Sequence, residues 1–252
     1  MDYKDVRDWF VELSGRHDLV TATEEDAGAD FIINAGQKTL DRMFGFSSGK
    51  ASARYPVIVA AGTYIVKTVG LRAIKEVWAA DADGKYQLTP TTITELKTEY
   101  SEEFSDVTQG EPEYYAPAIL RPYPDTLASS SGMYNVSDLL LYDATAPAQH
   151  FNYHGIVIMP PPDGTYTIEI VGLFYSPTLS ATLSGSVWTQ TKSYWTEVHP
   201  ETLVKAALFE LSNLYQSTEN IKNYKDSLLG DVAGLDFDIV EEEMFGTMQM
   251  GG

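Results

Sequence analysis

The chain has 252 residues and an ordinary share of apolar and aromatic side chains, enough for one large domain or two small ones with real cores. It has no cysteine, which excludes disulfides, thiolate metal sites and a cysteine nucleophile. A formal net charge of −19 argues against sequence-reading contact with nucleic acid, because an acidic surface repels phosphate. The acidic opening Met1-Asp2-Tyr3-Lys4-Asp5 has no secretory-leader pattern, and no apolar run approaches the ~20 residues of a membrane span.

Val6, Phe10 and Leu13, with Trp9 beside them, recur at helical spacing and predict a first helix over residues 2–14, stopped by Gly15. A second helix is expected from Thr23 as N-cap to Phe44, with Asp26 in its first turn. Its apolar stripe would be Phe31, Ile32, Ala35, Leu40 and Met43. From Tyr55 the period shortens. Residues 55–59 and 64–67 read as a hairpin turned at Ala60-Ala61-Gly62, and 71–79 with 85–88 as a second around Asp81-Ala82-Asp83-Gly84. Short strands with Gly or Pro punctuation and no long helix between them point to an antiparallel sandwich or barrel.

A short helix is expected within 90–100, with Ile93 and Leu96 on one side, and then an exposed acidic loop over 101–112. Extended structure resumes at Tyr114-Tyr115. Pro122, Pro124 and Ser129-Ser130-Ser131-Gly132 read as a loop, and Leu139-Leu140-Leu141-Tyr142 as a short buried strand. Residues 156–175 read as a hairpin, with Pro160-Pro161-Pro162-Asp163-Gly164 as its turn. In the second strand Tyr166, Ile168 and Ile170 share one face, and both faces become apolar from Val171. Leu203, Ala207, Leu211 and Leu214, widened by Val204, Leu208 and Tyr215, predict a helix from Pro200 to Tyr215.

Helical spacing resumes at Ile221, Tyr224 and Leu228, as far as Gly230. After Lys225 the chain has no further Lys or Arg. Its last residues alternate acidic and apolar side chains and end in glycine, so an extended tail without a fold of its own is expected. Such a segment orders on a partner, and the anchors would be Phe237, Ile239, Val240, Met244, Phe245, Met248 and Met250.

Catalytic signals are weak. His150 and His154 lie four apart, but Pro147 and Gly155 around them favour loop or strand, where that spacing does not make a metal pair. Glu24-Glu25 and Glu102-Glu103 are adjacent carboxylates that point apart on one element, which suits solvation better than a glycosidase pair. Ser184-Gly185-Ser186 and Ser131-Gly132 lack the nucleophile elbow, and no phosphate-binding glycine loop occurs. No metal, no cofactor and no enzyme activity are expected. The sixteen tyrosines and four tryptophans fill a core first and subunit or glycan contacts second.

The order of elements resembles the head-to-tail adaptor proteins of tailed bacteriophages, in particular the tail tubular protein A type. Tyr114-Tyr115-Ala116, the run from Met159 through Pro160-Pro161-Pro162-Asp163-Gly164 to Ile170, Tyr175-Ser176-Pro177-Thr178-Leu179, and Trp195 leading into the helix over 201–215 carry the resemblance. It covers roughly the C-terminal half. The expected architecture is α+β: a helical-bundle domain from residues 1–50 and 195–230, an antiparallel β-sandwich or barrel inserted over 51–194, and an extended docking tail over 231–252.

The resemblance implies a virion protein of the phage neck, assembled in the host cytoplasm. It would be one subunit of a ring, twelve in the family, between the portal protein and the tail tube or nozzle. DNA would pass through its acidic channel without being held. The alternative is a β-sandwich carbohydrate- or receptor-binding module of a tail or surface structure, with exposed Tyr and Trp on one sheet face.

Overall fold

The computed structural model describes residues 1–43, 52–82, 84–101, 104–117 and 153–248. Its helices are α1 (Tyr3–Ser14), α2 (Ala29–Met43), α3 (Ile93–Glu99), α4 (Tyr194–Val198), α5 (Pro200–Leu214) and α6 (Thr218–Met248). The strands are β1 (Ser52–Val59), β2 (Ile65–Val69), β3 (Leu71–Ala80), β4 (Lys85–Gln87), β5 (Thr89–Pro90), β6 (Tyr114–Pro117), β7 (Tyr153–Met159), β8 (Tyr166–Phe174), β9 (Ala181–Ser184) and β10 (Val187–Gln190). The structure is mixed α+β, and among the described residues its mainly antiparallel sheets do not close into a barrel. Nor is any described helix long and apolar enough to cross a membrane.

The chain divides into two compact units, Met1–Ala51 with Tyr175–Gly252, and Ser52–Phe174. The boundary expected at 194 therefore falls at Phe174. The reason is the β9–β10 hairpin, turned at Gly185 in the left-handed region, whose Ala181 and Trp188 pack with the helices of the first unit.

In that first unit α1 ends at Gly15 in the left-handed conformation, as its sequence predicts. Its buried face is Tyr3, Val6, Arg7, Phe10 and Val11; Leu13 lies beyond the edge of this arc in the final turn and is exposed. The second helix starts at Ala29 rather than after Thr23, because Glu24 and Gly28 both adopt positive φ, which no right-handed helix can use. Asp26 takes the capping role instead, its Oδ1 accepting the N–H groups of Gly28 and Asp30. Helix α2 buries Ile32, Ile33, Gly36 and Leu40, while Phe31, expected on this stripe, is exposed. Gly36 lies against α5 so closely that a Cβ there would sit 2.6 Å from the Ala207 nitrogen. Helix α5 has Pro200 at its start and buries Leu203, Val204, Ala207, Leu208 and Leu211; Leu214 and Tyr215, past the last buried turn, are exposed.

The second unit has two four-stranded sheets, ordered β1-β8-β3-β4 and β2-β7-β6-β5. One buried cluster draws on both: Val59, Val77, Ile168 and Ile170 from the first, Val66, Tyr115, Ile156 and Ile158 from the second. The alternate residues Val157, Met159 and Ala116 of the second sheet turn to the other side. There they meet Leu96 of α3 and Phe104. The α3 cap is a reciprocal Thr92–Glu95 box. Because Phe104 and Pro112 are buried, the segment 101–112 is not the fully exposed loop its composition suggests. The Asp-Gly hairpin joining β3 to β4 forms as read.

Two expected hairpins do not form. β1 pairs with β8 and β2 with β7, so the Ala60-Ala61-Gly62 turn carries the chain from one sheet to the other. The same holds for β7 and β8, the strands on either side of the proline run. Three prolines supply no N–H to a ladder, yet their carbonyls accept: Pro161 from Gly110 and Pro162 from Gly62. β8 alternates as predicted, with Tyr166, Ile168 and Ile170 buried, and it is an inner strand.

Candidate interaction surface

Three polar side chains of α2 at helical spacing, Asn34, Gln37 and Asp41, organise the first unit. Asn34 exchanges two hydrogen bonds with the Leu179 backbone, 2.8 Å each. Gln37 donates to the Pro177 carbonyl at 2.8 Å and accepts from Ser193 Oγ at 2.7 Å. Asp41 accepts from the Ser176 N–H and hydroxyl, at 2.8 and 2.9 Å, and from Trp195 Nε1 at 2.8 Å. One face of α2 thus holds the irregular segment 176–179 and, through Ser193 and Trp195, the start of α4.

A second polar knot lies beneath α1. Arg7 is fully buried, and its guanidinium donates to the Glu24 carbonyl at 2.7 Å, the Ala181 carbonyl at 3.3 Å and Asp30 Oδ1 at 3.2 Å. Tyr3 donates to the same Asp30 oxygen at 2.7 Å. Burial raises the Asp30 carboxyl above its ordinary value, outweighing the opposing hydrogen bonds from Tyr3 and Arg7. The Tyr3 phenol is raised too, first by burial and then by Asp30. The buried Arg7 charge is thus held by an ion pair and two backbone carbonyls.

These contacts fix α5, and α5 presents α6. The two helices are joined by three residues, Tyr215-Gln216-Ser217, and Lys205 Nζ meets Asp231 at 2.8 Å. They run antiparallel, with Leu228, Val232 and Leu235 buried as the contact stripe. Helix α5 begins five residues before Lys205, so α6 reaches that end five residues after Asp231 and then continues. Residues 237–248 therefore extend the helix about 18 Å past its partner.

This corrects the expected extended tail. Residues 231–248 are helical, and Val232 and Leu235 are anchored on α5. Of the expected docking residues, Phe237, Ile239, Val240, Met244, Phe245 and Met248 fall within α6, and Met250 lies outside the described residues. Alternation in sequence hid this, because acids at 236, 238 and 241–243 mimic an extended polar segment.

Among the described residues, those weighed for chemistry do not assemble. Glu24 binds Lys4 at 2.8 Å, and Ser184 belongs to the β9–β10 hairpin. Glu102, Glu103, Ser131, Gly132 and His150 lie outside the described residues. His199 meets the Tyr194 hydroxyl at 3.1 Å. Among the described residues no cluster of three metal-ligating side chains occurs. On the outer face of the first sheet Trp78 donates its indole N–H to Glu76 at 2.8 Å, and Lys85 Nζ lies 5.2 Å from its ring centroid. Sequence reading missed Arg7 and the Asn34–Gln37–Asp41 row. Their signal was polar residues recurring on the apolar face of each helix. Comparison of the chain with protein-family models and with curated proteins found no match.

Proposed function

We propose that the protein is a structural subunit of a phage head-to-tail adaptor ring, built as a helical bundle from both chain ends with an inserted β-sandwich. The observation that supports this reading best is α6. A helix anchored along half its length by Leu228, Val232 and Leu235 runs on past its partner, carrying Phe237, Val240, Met244 and Met248 among four acids. A preformed helix docks with less ordering entropy than an extended tail. Its occupant in this reading is the portal protein, and the tail nozzle or tube lies on the other side of the ring. The net charge of −19 suits a channel wall past which DNA moves without being held. The protein then belongs to the virion neck and has no catalytic role.

Truncation after Asp236 tests the docking. The full chain should co-sediment with a purified portal ring, and the truncated chain should not while keeping its melting temperature. Undiminished binding by the truncated chain contradicts the reading.

A further inference from the structure

The turn between α5 and α6 is built on a residue type that rarely fills such a turn. Gln216 adopts the left-handed region, with φ 55°. Its N–H donates to the Asn213 carbonyl at 3.2 Å, and the Ser217 N–H donates to the Ser212 carbonyl at 3.1 Å. That pair of bonds closes a helix on a left-handed residue, a position where glycine is unstrained and glutamine is not. No glycine or proline lies between Pro200 and Gly230, so no residue in this stretch forbids a continuous helix. The apolar spacing also crosses the turn without a change of phase. Leu211, Leu214, Ile221, Leu228, Val232 and Leu235 follow one another at steps of three, four or seven, the repeat of a two-helix seam. In the folded-back hairpin the middle of that row is left uncovered: Leu214 is 60% exposed, and Tyr215 beside it 58%.

Straightening this turn in one chain alone is unfavourable, because it strips the cover from Leu228, Val232 and Leu235, all buried in the core of the first unit. A second copy that straightens at the same time restores that cover. We propose that α6 exchanges between two copies of this chain: the turn at Gln216 straightens, and the α6 of each copy takes the place of the other's on α5. Three features select this occupant. The incoming helix makes the same contacts as the resident one, Lys205 with Asp231 included, so the α5 surface loses nothing. Gln216 leaves the left-handed region in both copies. Lys205 and Asp231 lie equally far on either side of the turn, so the two straightened turns meet at the two-fold axis. There Leu214 and Ile221 of one copy cover those of the other. The exchange is reciprocal and closes as a pair, and it does not rest on the adaptor reading.

The test uses the full chain, refolded from urea at rising concentration and resolved by size-exclusion chromatography with light scattering. The wild type should give monomer at low concentration and a slowly exchanging dimer at high concentration. Gln216→Gly favours the left-handed turn and disfavours the straight helix. It should lower the dimerisation constant about tenfold per turn, hence about a hundredfold for a pair that straightens two. Gln216→Val, which resists positive φ, should raise it. The exchange itself is read in the double variant Lys205→Cys, Asp231→Cys, in a chain with no other cysteine. On a denaturing gel a short bis-maleimide should join the two cysteines within one chain in the monomer fraction, and between two chains in the dimer fraction. A dimer or larger assembly joined only within chains would overturn the exchange and leave the adaptor reading standing. A wild type monomeric at every concentration would overturn it too, as would a folded Gln216→Gly chain that dimerises as well as the wild type.

Discussion

Trp195 Nε1 donates to Asp41 Oδ1 at 2.8 Å, a buried hydrogen bond between residues 154 apart in sequence. It ties the N-terminal α2 to the short α4 that precedes α5, so the two chain ends form one unit although a whole β unit separates them. Trp195→Phe keeps most of the packing and removes the donor. It should cost about 1–3 kcal/mol in urea unfolding, since Asp41 loses a buried donor that the Ser176 contacts do not replace. An unchanged unfolding midpoint would show that this bond does not hold the unit together.

Gly36 marks the closest approach of α2 to α5. A methyl group there would meet the Ala207 nitrogen at 2.6 Å and the Ala206 carbonyl carbon at 2.8 Å, and both are backbone atoms that cannot turn aside. Gly36→Ala should destabilise the protein by about 1–3 kcal/mol, although alanine favours a helix. Thermal melting followed by circular dichroism reads the sign directly.

The Arg7 knot gives both a magnitude and a pH dependence. Arg7→Ala leaves Asp30 without its buried cation and should cost about 3–5 kcal/mol. Asp30 binds its proton more tightly in the folded state than in the unfolded chain. Its contribution to stability therefore falls as pH rises from the ordinary carboxylate range through the raised folded value. Asp30→Asn should abolish that slope, so the stability difference between variant and wild type should change across this window. A pH-independent difference would mean that Asp30 titrates normally.

Helix α6 should behave as two halves. Leu228, fully buried against α5, should cost about 2–5 kcal/mol when cut to alanine. Removal of residues 237–252 should leave the urea midpoint unchanged, because Leu228, Val232 and Leu235, which anchor the helix in the core of the first unit, are all retained. A large loss of stability on truncation would give the distal helix a folding role instead.

Much of this architecture can be read from local chemistry. Gly15, the Asp81–Gly84 turn, Pro200 at a helix start and the alternation of Tyr166, Ile168 and Ile170 each act within a few residues, and each is found where the pattern puts it. Partner choice between strands is not local. Ala60-Ala61-Gly62 and the proline run look like hairpin turns, yet both bridge two sheets: β1 pairs with β8, where Tyr55, Val57 and Val59 join its buried cluster, and β2 pairs with β7. The distal tail misleads for a different reason. Acids every second or third residue resemble an extended solvated chain, and only the anchoring of Leu228, Val232 and Leu235 on α5 lets the helix propagate through them. Within the interaction surface, residue types were legible and their presentation was not.

The adaptor reading depends on self-association into a closed ring, and electron microscopy of the purified chain tests it most directly. The account predicts rings of identical subunits with a central hole wide enough for duplex DNA. Isolated monomers, or open filaments without closure, at concentrations where the chain is fully folded would contradict it.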